Sequence, residues 1–466
     1  MAVFNDLPTE IIEDILQRCL PSFFNRQDSG TGSVDEDYDT HGFPEYDVLF
    51  TSGYSSGSYS RDILHPACMM SVCSRWMDVV SKSPRLWTQL DLDASKWTGR
   101  LDILKTFLRR SKVMPLSIKL KLLRPSEDLL VEPQYKSIID VLRKEFHRLR
   151  DLSIFIKGLD PNILATHLFP MGYLTEFTIL ENFVAAVQGR WYGSAYRSLL
   201  GMINAPRLKT FMVGLNLDYF WDLLLPSCTA SISKLQIDFR EHPSRDALER
   251  LAECRNLEAF VWSQNGYGVP RSLPSDCYFS HLRKLTLTLT NLTQYTTVTE
   301  HFHTPQLQWL AITGHYEVPF EWSSRFLQKN SQLEELRIVC LGVRADARYI
   351  FTHLPGLKTL VLSYCDPSSE FLSSFLPSKD DGSIMLPNLR TFVVGKFAVG
   401  IVVDPIIIDL IQKRIEHSPH GWGPRFVIMT TTISPFLSDK LKDIERTYPH
   451  ALHIQNTSSE SEPTHW

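Results

Sequence analysis

The sequence has no long apolar run and no strong charge imbalance. None of its hydrophobic stretches approaches the ~18 residues that a membrane-spanning helix needs. The net charge is −4 over 466 residues, too small to attract nucleic acid or an anionic membrane surface. The first residues, MAVFNDLPTE, lack the basic start and apolar centre of a signal peptide. We therefore expect a protein of the cytoplasm or the nucleus, with neither nucleic acid nor a membrane as its partner.

Recognisable catalytic and cofactor motifs are missing as well. The sequence contains no Walker A motif, no G-x-G-x-x-G, no H-E-x-x-H, and no C-x-x-C among its eight cysteines. His301 and His303 have no third ligand near them in sequence, which favours a surface turn over a metal site. We predict a chain that is not an enzyme and that binds no metal and no cofactor.

One stretch does match a catalytic pattern. Residues Gly53–Gly57 read G-x-S-x-G, the form of a nucleophile elbow. Such an elbow needs a strand before the serine and a helix after it, and the flanking residues are typical of neither. A flexible turn is the preferred interpretation, and a hydrolase that uses Ser55 is a distant alternative.

Two short apolar stripes with helical spacing lie near the start of the chain. The first is formed by Ile11, Ile12, Ile15, Leu16 and Cys19, and the second by Met69, Val72, Cys73, Trp76, Val79 and Val80. Each predicts an amphipathic helix, the first ended by Pro21 and the second by Pro84. Two such helices bury too little apolar surface to fold well alone, so they need a partner or a neighbouring domain.

The motifs in these stripes resemble the F-box family. The first half is LPTEIIEDIL at 7–16, and the second is VCSRW at 72–76 followed by PRLW at 84–87. F-box proteins dock onto the Skp-type adaptor of a cullin ubiquitin ligase, so the resemblance implies that adaptor, and through it a cullin, as partners. Carried over by motif, the adaptor-binding residues are Leu7, Pro8, Ile11, Ile12, Ile15, Leu16, Val72, Trp76, Pro84, Leu86 and Trp87. Alternatively, the helices only cap the larger domain.

The two halves are separated by a polar insert at residues 27–60. It has seven acidic residues and no Lys or Arg, and Gly, Ser and Tyr make up much of the rest. Low hydrophobicity and charge of one sign cannot offset the entropy lost on ordering, so the insert is predicted to be a disordered loop. Residues 1–90 are then an interrupted F-box.

From about residue 149 the chain repeats an L-x-x-L-x-L phrase ten times, with first positions at Leu149, Leu174, Leu208, Ile232, Leu257, Leu282, Leu307, Leu333, Leu357 and Leu389. The steps lie mostly in the mid-twenties, which is typical of leucine-rich repeats with one strand per unit. Asn182, Asn216, Asn265 and Cys365 occupy the ninth position, where this pattern uses Asn or Cys. Leu86–Leu92 and Leu116–Leu120 are candidate earlier strands. The alternative is a set of unrelated strands in an α/β domain.

The predicted substrate surface follows from the period of two along each strand. The third, fifth and seventh residues of a unit point away from the leucines, onto the concave face of a repeat sheet. On this face the candidate substrate-binding residues are Trp309, Arg337, Met212 and Lys284, because aromatic and Arg side chains are enriched at interface hot spots. Trp309 packed flat against its neighbouring units is the alternative interpretation.

The sequence thus predicts an α/β protein in which F-box helices precede a leucine-rich-repeat solenoid, with a parallel sheet on the concave face and helices outside. The predicted domains are residues 1–90, a repeat domain at 91–430, and a C-terminal segment with a frayed tail at 431–466. The predicted function is substrate recognition for a Skp–cullin–F-box ubiquitin ligase, with an unknown protein as substrate. A repeat scaffold that binds the adaptor outside a ligase is the alternative function.

Overall fold

The computed structural model describes residues 7–19, 66–93, 101–123, 132–157, 167–170, 173–188, 202–214, 219–239, 245–264, 276–289, 300–314, 323–339, 342–343, 350–363, 365–377, 384–395, 404–416, 425–430 and 435–456. The predicted disordered insert, the G-x-S-x-G stretch, Asn216, Asn265 and the predicted frayed tail from 457 lie outside these residues. The chain forms two compact units, one up to Ser231 and one from Ile232. This division differs from the predicted boundaries at 90 and 430, which stay predictions.

Unit 1 begins with helices. They are α1 (Thr9–Cys19), α2 (Pro66–Met70) and α3 (Ser74–Lys82), followed by a 3₁₀ turn at Pro84–Trp87. Pro84 is tolerated at the first position of that turn, because its missing N–H would have no partner there. Further helices are α4 (Leu101–Arg110), α5 (Glu132–Arg143), α6 (Tyr219–Leu223) and α7 (Pro226–Thr229), with a 3₁₀ turn at Phe146–Arg148.

The strands of unit 1 are parallel. The main ones are β1 (Gln89–Asp93), β2 (Leu116–Leu123), β3 (Leu149–Lys157), β5 (Asn182–Gln188) and β7 (Thr210–Val213), and they pair in that order. Two short strands, β4 (Thr175–Glu176) and β6 (Ile203–Asn204), form a separate parallel pair. The two candidate strands before the repeats are confirmed as β1 and β2.

Unit 2 continues the alternation of strands and helices. Its paired strands are β8 (Lys234–Phe239), β9 (Ala259–Gln264), β11 (Lys284–Leu289), β13 (Trp309–Thr313), β14 (Glu335–Val339), β16 (Thr359–Ser363), β18 (Thr391–Gly395), β19 (Arg425–Thr430) and β20 (Leu452–Asn456). Neighbours in this order are parallel. The predicted α/β class with a parallel sheet is confirmed, and the sheet continues past residue 430.

Helices and short strand pairs connect the strands of unit 2. The helices are α8 (Arg245–Ala252), α9 (Ser324–Lys329), α10 (Ser369–Ser373), α11 (Asp404–Glu416) and α12 (Pro435–Thr447). The short pairs are β10 (Cys277–Tyr278) with β12 (Phe302–His303), and β15 (Gly342–Val343) with β17 (Asp366–Pro367). Among the residues that the structure describes, no helix is long and apolar enough to cross a bilayer.

The repeated phrase has the same pattern of burial in each repeat of unit 2. Its first, fourth and sixth residues are buried, as in Leu307, Leu310 and Ile312. Before β8, β9, β11, β13, β14 and β16, the carbonyl of the second residue of the repeated phrase accepts two N–H groups from the next repeat. The Arg283 carbonyl, for example, accepts from Gln308 and Trp309 at 3.0 and 2.9 Å. This bond pattern satisfies the turn backbone and stacks one unit on the next.

Cys365 shows why the ninth position favours a small polar side chain. It is buried, and its Sγ lies 3.2 Å from the Ile338 carbonyl and 3.3 Å from the Ser363 carbonyl. A thiol is a weak donor that is small enough to fit inside the stack and meet carbonyls there.

One predicted strand is wrong. The unit assigned to Leu174, Phe177 and Ile179 has its main strand later, because Phe183 of β5 is the residue in register with Leu152 and Phe211. Leu174 is 49% exposed. The leucine positions of this unit are instead Leu180, Phe183 and Ala185, all of which are buried. Asn182, predicted at a ninth position, begins β5, and its Nδ2 donates to Asp151 Oδ1 at 2.5 Å.

Candidate protein-binding surfaces

The two predicted F-box halves lie together in unit 1. The Arg75 guanidinium of α3 donates to the Leu7 carbonyl before α1, and Ser83 Oγ donates to Glu13 Oε1 at 2.5 Å. These bonds join residues that are 68 and 70 positions apart in the sequence. Arg75 lies within the VCSRW motif, but no local pattern identifies Leu7 as its partner.

The structure sorts the eleven predicted adaptor-binding residues into two groups. Ile12, Leu16, Leu86 and Trp87 are buried, so they hold unit 1 together and are not available to a partner. The others keep solvent contact; these are Leu7, Pro8, Ile11, Ile15, Val72, Trp76 and Pro84. A helix that packs on its own domain turns part of its apolar stripe inward, and the role of these residues in adaptor binding stays a prediction.

The exposed group includes large apolar side chains. Ile11 is 47% exposed and Val72 is 59% exposed, and Met77 of α3, which the motif comparison did not single out, is 49% exposed. We call Ile11, Val72 and Met77 the helical apolar surface. Large exposed apolar side chains are candidates for contact with a partner when they lie in one patch.

Trp87 fixes the 3₁₀ turn to the first repeat elements. Its indole Nε1 donates to the Val80 carbonyl at 2.7 Å, and its ring meets Phe107 edge-on at 5.3 Å between centroids. The Arg110 guanidinium lies over the same ring at 4.5 Å, and it also reaches Met70 Sδ at 3.2 Å. The helices are thereby held to α4 by packing and cation–π contact.

The second candidate surface is the face of the unit 2 sheet opposite the leucines, which we call the alternate face. Burial changes along each strand. The third residues of the repeated phrase, which begin β8, β9, β11, β13 and β14, are exposed or half-buried; these are Lys234, Ala259, Lys284, Trp309 and Glu335. The seventh residues are buried; these are Asp238, Ser263, Thr288, Thr313 and Val339. A partner therefore has access to the strand starts, whereas the seventh positions are enclosed.

Trp309 and Arg337 are brought together at this accessible end. Trp309 pairs with Glu335 in the strand register, and Arg337 lies two residues further along β14. The guanidinium is 5.5 Å from the centroid of the indole ring, and its Nε donates to Glu335 Oε1 at 2.7 Å. The three side chains form one half-buried group in which Glu335 neutralises the Arg337 guanidinium. Trp309 is half-buried, so it both packs against its neighbours and keeps a part of its side chain accessible to a partner.

The other two predicted substrate residues belong to different units of the chain. Lys284 is exposed and is next to Trp309 across the sheet, with the register Lys284 to Trp309. Met212 is half-buried in β7 of unit 1, in register with Val184. The candidate substrate site in unit 2 is therefore formed by Lys284, Trp309 and Arg337, with Glu335 added.

The histidine pair at 301 and 303 has a structural partner that the sequence analysis missed. Asp276 Oδ1 is 3.1 Å from His301 Nδ1, and Asp276 Oδ2 is 3.5 Å from His303 Nε2. The hydrogen bond from His301 lowers the pKa of the Asp276 carboxyl. Within the described part of the chain, no group of His, Cys, Asp and Glu is arranged to hold a metal ion. The three side chains tie the β10–β12 pair together.

The lowered pKa of Asp276 defines a pH window for that contact. A carboxyl whose pKa is depressed in the folded state stabilises the fold above its ordinary pKa, and this contribution is lost as the pH falls through the depressed value. Asp276 is an exposed side chain, so the contact is screened by solvent and is a local feature of the strand pair.

Comparison with known proteins assigns the chain to no family. No family model matches the sequence, and no curated protein matches it. Among solved structures, an internalin from Listeria monocytogenes superposes with a TM-score of 0.30 and 11% sequence identity, over 78% of this chain and 90% of the internalin. At this identity and score, the likeness says nothing about what the chain binds.

Proposed function

We propose that this chain is the substrate-recognition subunit of a Skp–cullin–F-box ubiquitin ligase, and that its repeats are leucine-rich repeats. In this proposal the N-terminal helices bind the Skp-type adaptor and the alternate face holds a protein substrate. Ubiquitin transfer belongs to other subunits, so the chain acts by raising the effective concentration of its target at the ligase.

The observation that carries the proposal is the helical apolar surface. Ile11 and Val72 come from opposite halves of the motif, and bonds between the halves place both in one packed group of helices. Burial of one such side chain in an interface stabilises a complex by about 1.5–3 kcal/mol. Surface of this kind is costly to leave in water, and an adaptor with an apolar groove would cover it.

The accessible end of the alternate face supports the second part of the proposal. Repeat proteins bind partners along an extended sheet surface. Here Lys284 and Trp309 begin their strands and Arg337 lies two residues into β14, and all three keep solvent contact. Aromatic and Arg side chains are the types enriched in hot spots.

Co-expression with a Skp-type adaptor and a cullin tests the proposal. The variant I11D/V72D introduces two carboxylates into the helical apolar surface, and we expect it to lose adaptor and cullin from the purified complex. A charge in an apolar interface costs far more than the lost burial alone. The control is Val113→Asp, since Val113 is apolar and 87% exposed but lies in the turn after α4.

The outcomes separate the alternatives. Loss of both partners from I11D/V72D, with V113D unaffected, supports the proposal. Retention of the adaptor by the double variant, at an unchanged melting temperature, contradicts it and leaves the helices as a domain cap. Binding of the adaptor by the unmodified chain without any cullin would favour the scaffold function outside a ligase.

A further inference from the structure

Unit 1 contains a basic cavity of about 440 Å³ on the side of its helices. Its polar lining consists of five basic and one acidic residue, namely Lys105, Arg109, Lys112, Lys144, Arg148 and Glu145. They come from two separate stretches of sequence, the end of α4 with its following turn and the end of α5 with the following 3₁₀ turn. In the sequence these stretches are typical of solvated helix ends. Only the fold brings them together as the lining of one cavity.

The Arg148 side chain is buried behind this cavity and makes structural hydrogen bonds. It is 5% exposed, and its guanidinium donates to the Leu108 carbonyl at 3.0 Å, the Met114 carbonyl at 3.2 Å and Ser111 Oγ at 2.8 Å. Its Nε also pairs with Glu145 at 2.5 Å. Arg148 thus satisfies carbonyl groups at and after the end of α4, and Glu145 neutralises its charge.

The other four basic side chains of the lining, Lys105, Arg109, Lys112 and Lys144, are not needed to satisfy these carbonyl groups. Basic side chains often complement the negative end of a helix, but Arg148 and the backbone N–H groups of Ser111 and Lys112 already occupy carbonyls at the end of α4. Lys105 has one long contact, 3.8 Å to the exposed Asp102. Arg109, Lys112 and Lys144 have no ion pair to any residue in the described ranges. Four positive charges around one cavity repel each other, and an anion placed among them would relieve this repulsion.

The charge and the lining restrict the class of ligand. A single phosphate group carries about −1.5 to −2 charges, so at least two phosphate groups are needed to balance four cations. The volume lies within the ~300–1,000 Å³ of typical small-molecule sites. The apolar lining is limited to Leu108 and Val141, without the aromatic ring on which a base would stack.

We propose that this cavity binds a compact organic or inorganic polyphosphate without a nucleobase. The binding groups are the side chains of Lys105, Arg109, Lys112 and Lys144, and Arg148 with Glu145 forms the rigid wall behind them. Its lining includes no residue of the helical apolar surface and no residue of the alternate face, so it does not depend on the proposed ligase function.

Titration calorimetry on the full chain, at ~0.15 M salt to screen weak surface charge, tests this proposal. The probes are inorganic tripolyphosphate and myo-inositol hexakisphosphate, with sulfate at matched ionic strength as the control anion. We expect at least one polyphosphate to bind and sulfate not to compete.

A matched pair of variants localises the binding. R109Q/K144Q removes two lining cations, and K136Q/R143Q removes two exposed cations of α5 that do not line the cavity. Loss of a charge-assisted hydrogen bond lowers affinity about tenfold or more, so the first variant should bind at least about tenfold more weakly and the second within about twofold of the unmodified chain. The single variant K144Q replaces the first if its circular dichroism or melting shows loss of fold.

Three results would overturn the proposal. They are absence of binding by both polyphosphates to the folded chain, equal weakening by the two double variants, and competition by sulfate at matched ionic strength. The last two would show attraction to surface charge in general and not to this cavity.

Discussion

The buried guanidinium of Arg148 permits a quantitative prediction about unit 1. Its four polar partners lie in α4, in the turn after it and at Glu145, so one side chain joins α4 to the start of β3. The substitution Arg148→Met keeps a long, flexible side chain of similar shape but removes all donors. The Leu108 and Met114 carbonyls then lose a buried partner.

The expected cost follows from these contacts. Removal of one partner of a buried ion pair costs about 3–5 kcal/mol, because the other groups stay buried without compensation. The Glu145 side chain is 24% exposed and can recover part of its hydration, so we expect a loss near the lower limit, about 3 kcal/mol. For a unit of this size, 1 kcal/mol corresponds to a change in melting temperature of about 2–4 °C, which gives a decrease of about 6–12 °C.

Differential scanning calorimetry measures the decrease, and hydrogen exchange followed by mass spectrometry assigns it to unit 1. Arg143→Met is the matched control, since Arg143 is an exposed residue at the end of α5 and its loss should change stability by less than about 0.5 kcal/mol. Equal melting temperatures for the two variants would refute the assignment of Arg148 as a buried clamp.

Two further predictions concern the alternate face and the cysteines. W309A/R337A should weaken substrate capture by more than ~2 kcal/mol, a typical hot-spot loss, and leave adaptor binding unchanged; quantitative proteomics of the bound proteins measures this, and an unchanged set of partners would place recognition elsewhere. Burial raises the pKa of Cys277 to about 11, so at about pH 8 its thiol is protonated and enclosed, whereas Cys73 is exposed. A maleimide followed by mass spectrometry should therefore label Cys73 rapidly and Cys277 only after unfolding, and rapid labelling of Cys277 in the folded chain would contradict its buried position.

The wrong strand at Leu174 shows a limit of sequence patterns. Leu174, Phe177 and Ile179 match the repeated phrase at least as well as Leu180, Phe183 and Ala185 do. Register with the neighbouring strands chose between them, because Phe183 stacks on Phe211 with ring centroids 5.5 Å apart and an interplanar angle of 15°. A local apolar pattern contains no information about which ring meets which.

The N-terminal motif was predictable only in part. The apolar spacing of Ile11, Ile12, Ile15 and Leu16 was enough to predict helix α1, since a period of 3.6 residues is a local property. Which of these residues is buried depends on the neighbour that the helix meets, and Ile12 and Leu16 proved to face unit 1 while Ile11 faces solvent.

By itself, the sequence determined the seven repeat strands of unit 2 from β8 to β18 in the main sheet and the direction of their side chains. Alternation along an extended strand places Leu310 and Ile312 on one face and Trp309 on the other, whatever surrounds them. Only the tertiary structure decided which alternate-face positions stay accessible and that the ends of α4 and α5 share one cavity. These depend on contacts between residues far apart in the chain, and such contacts are set by packing and burial, which no local pattern contains.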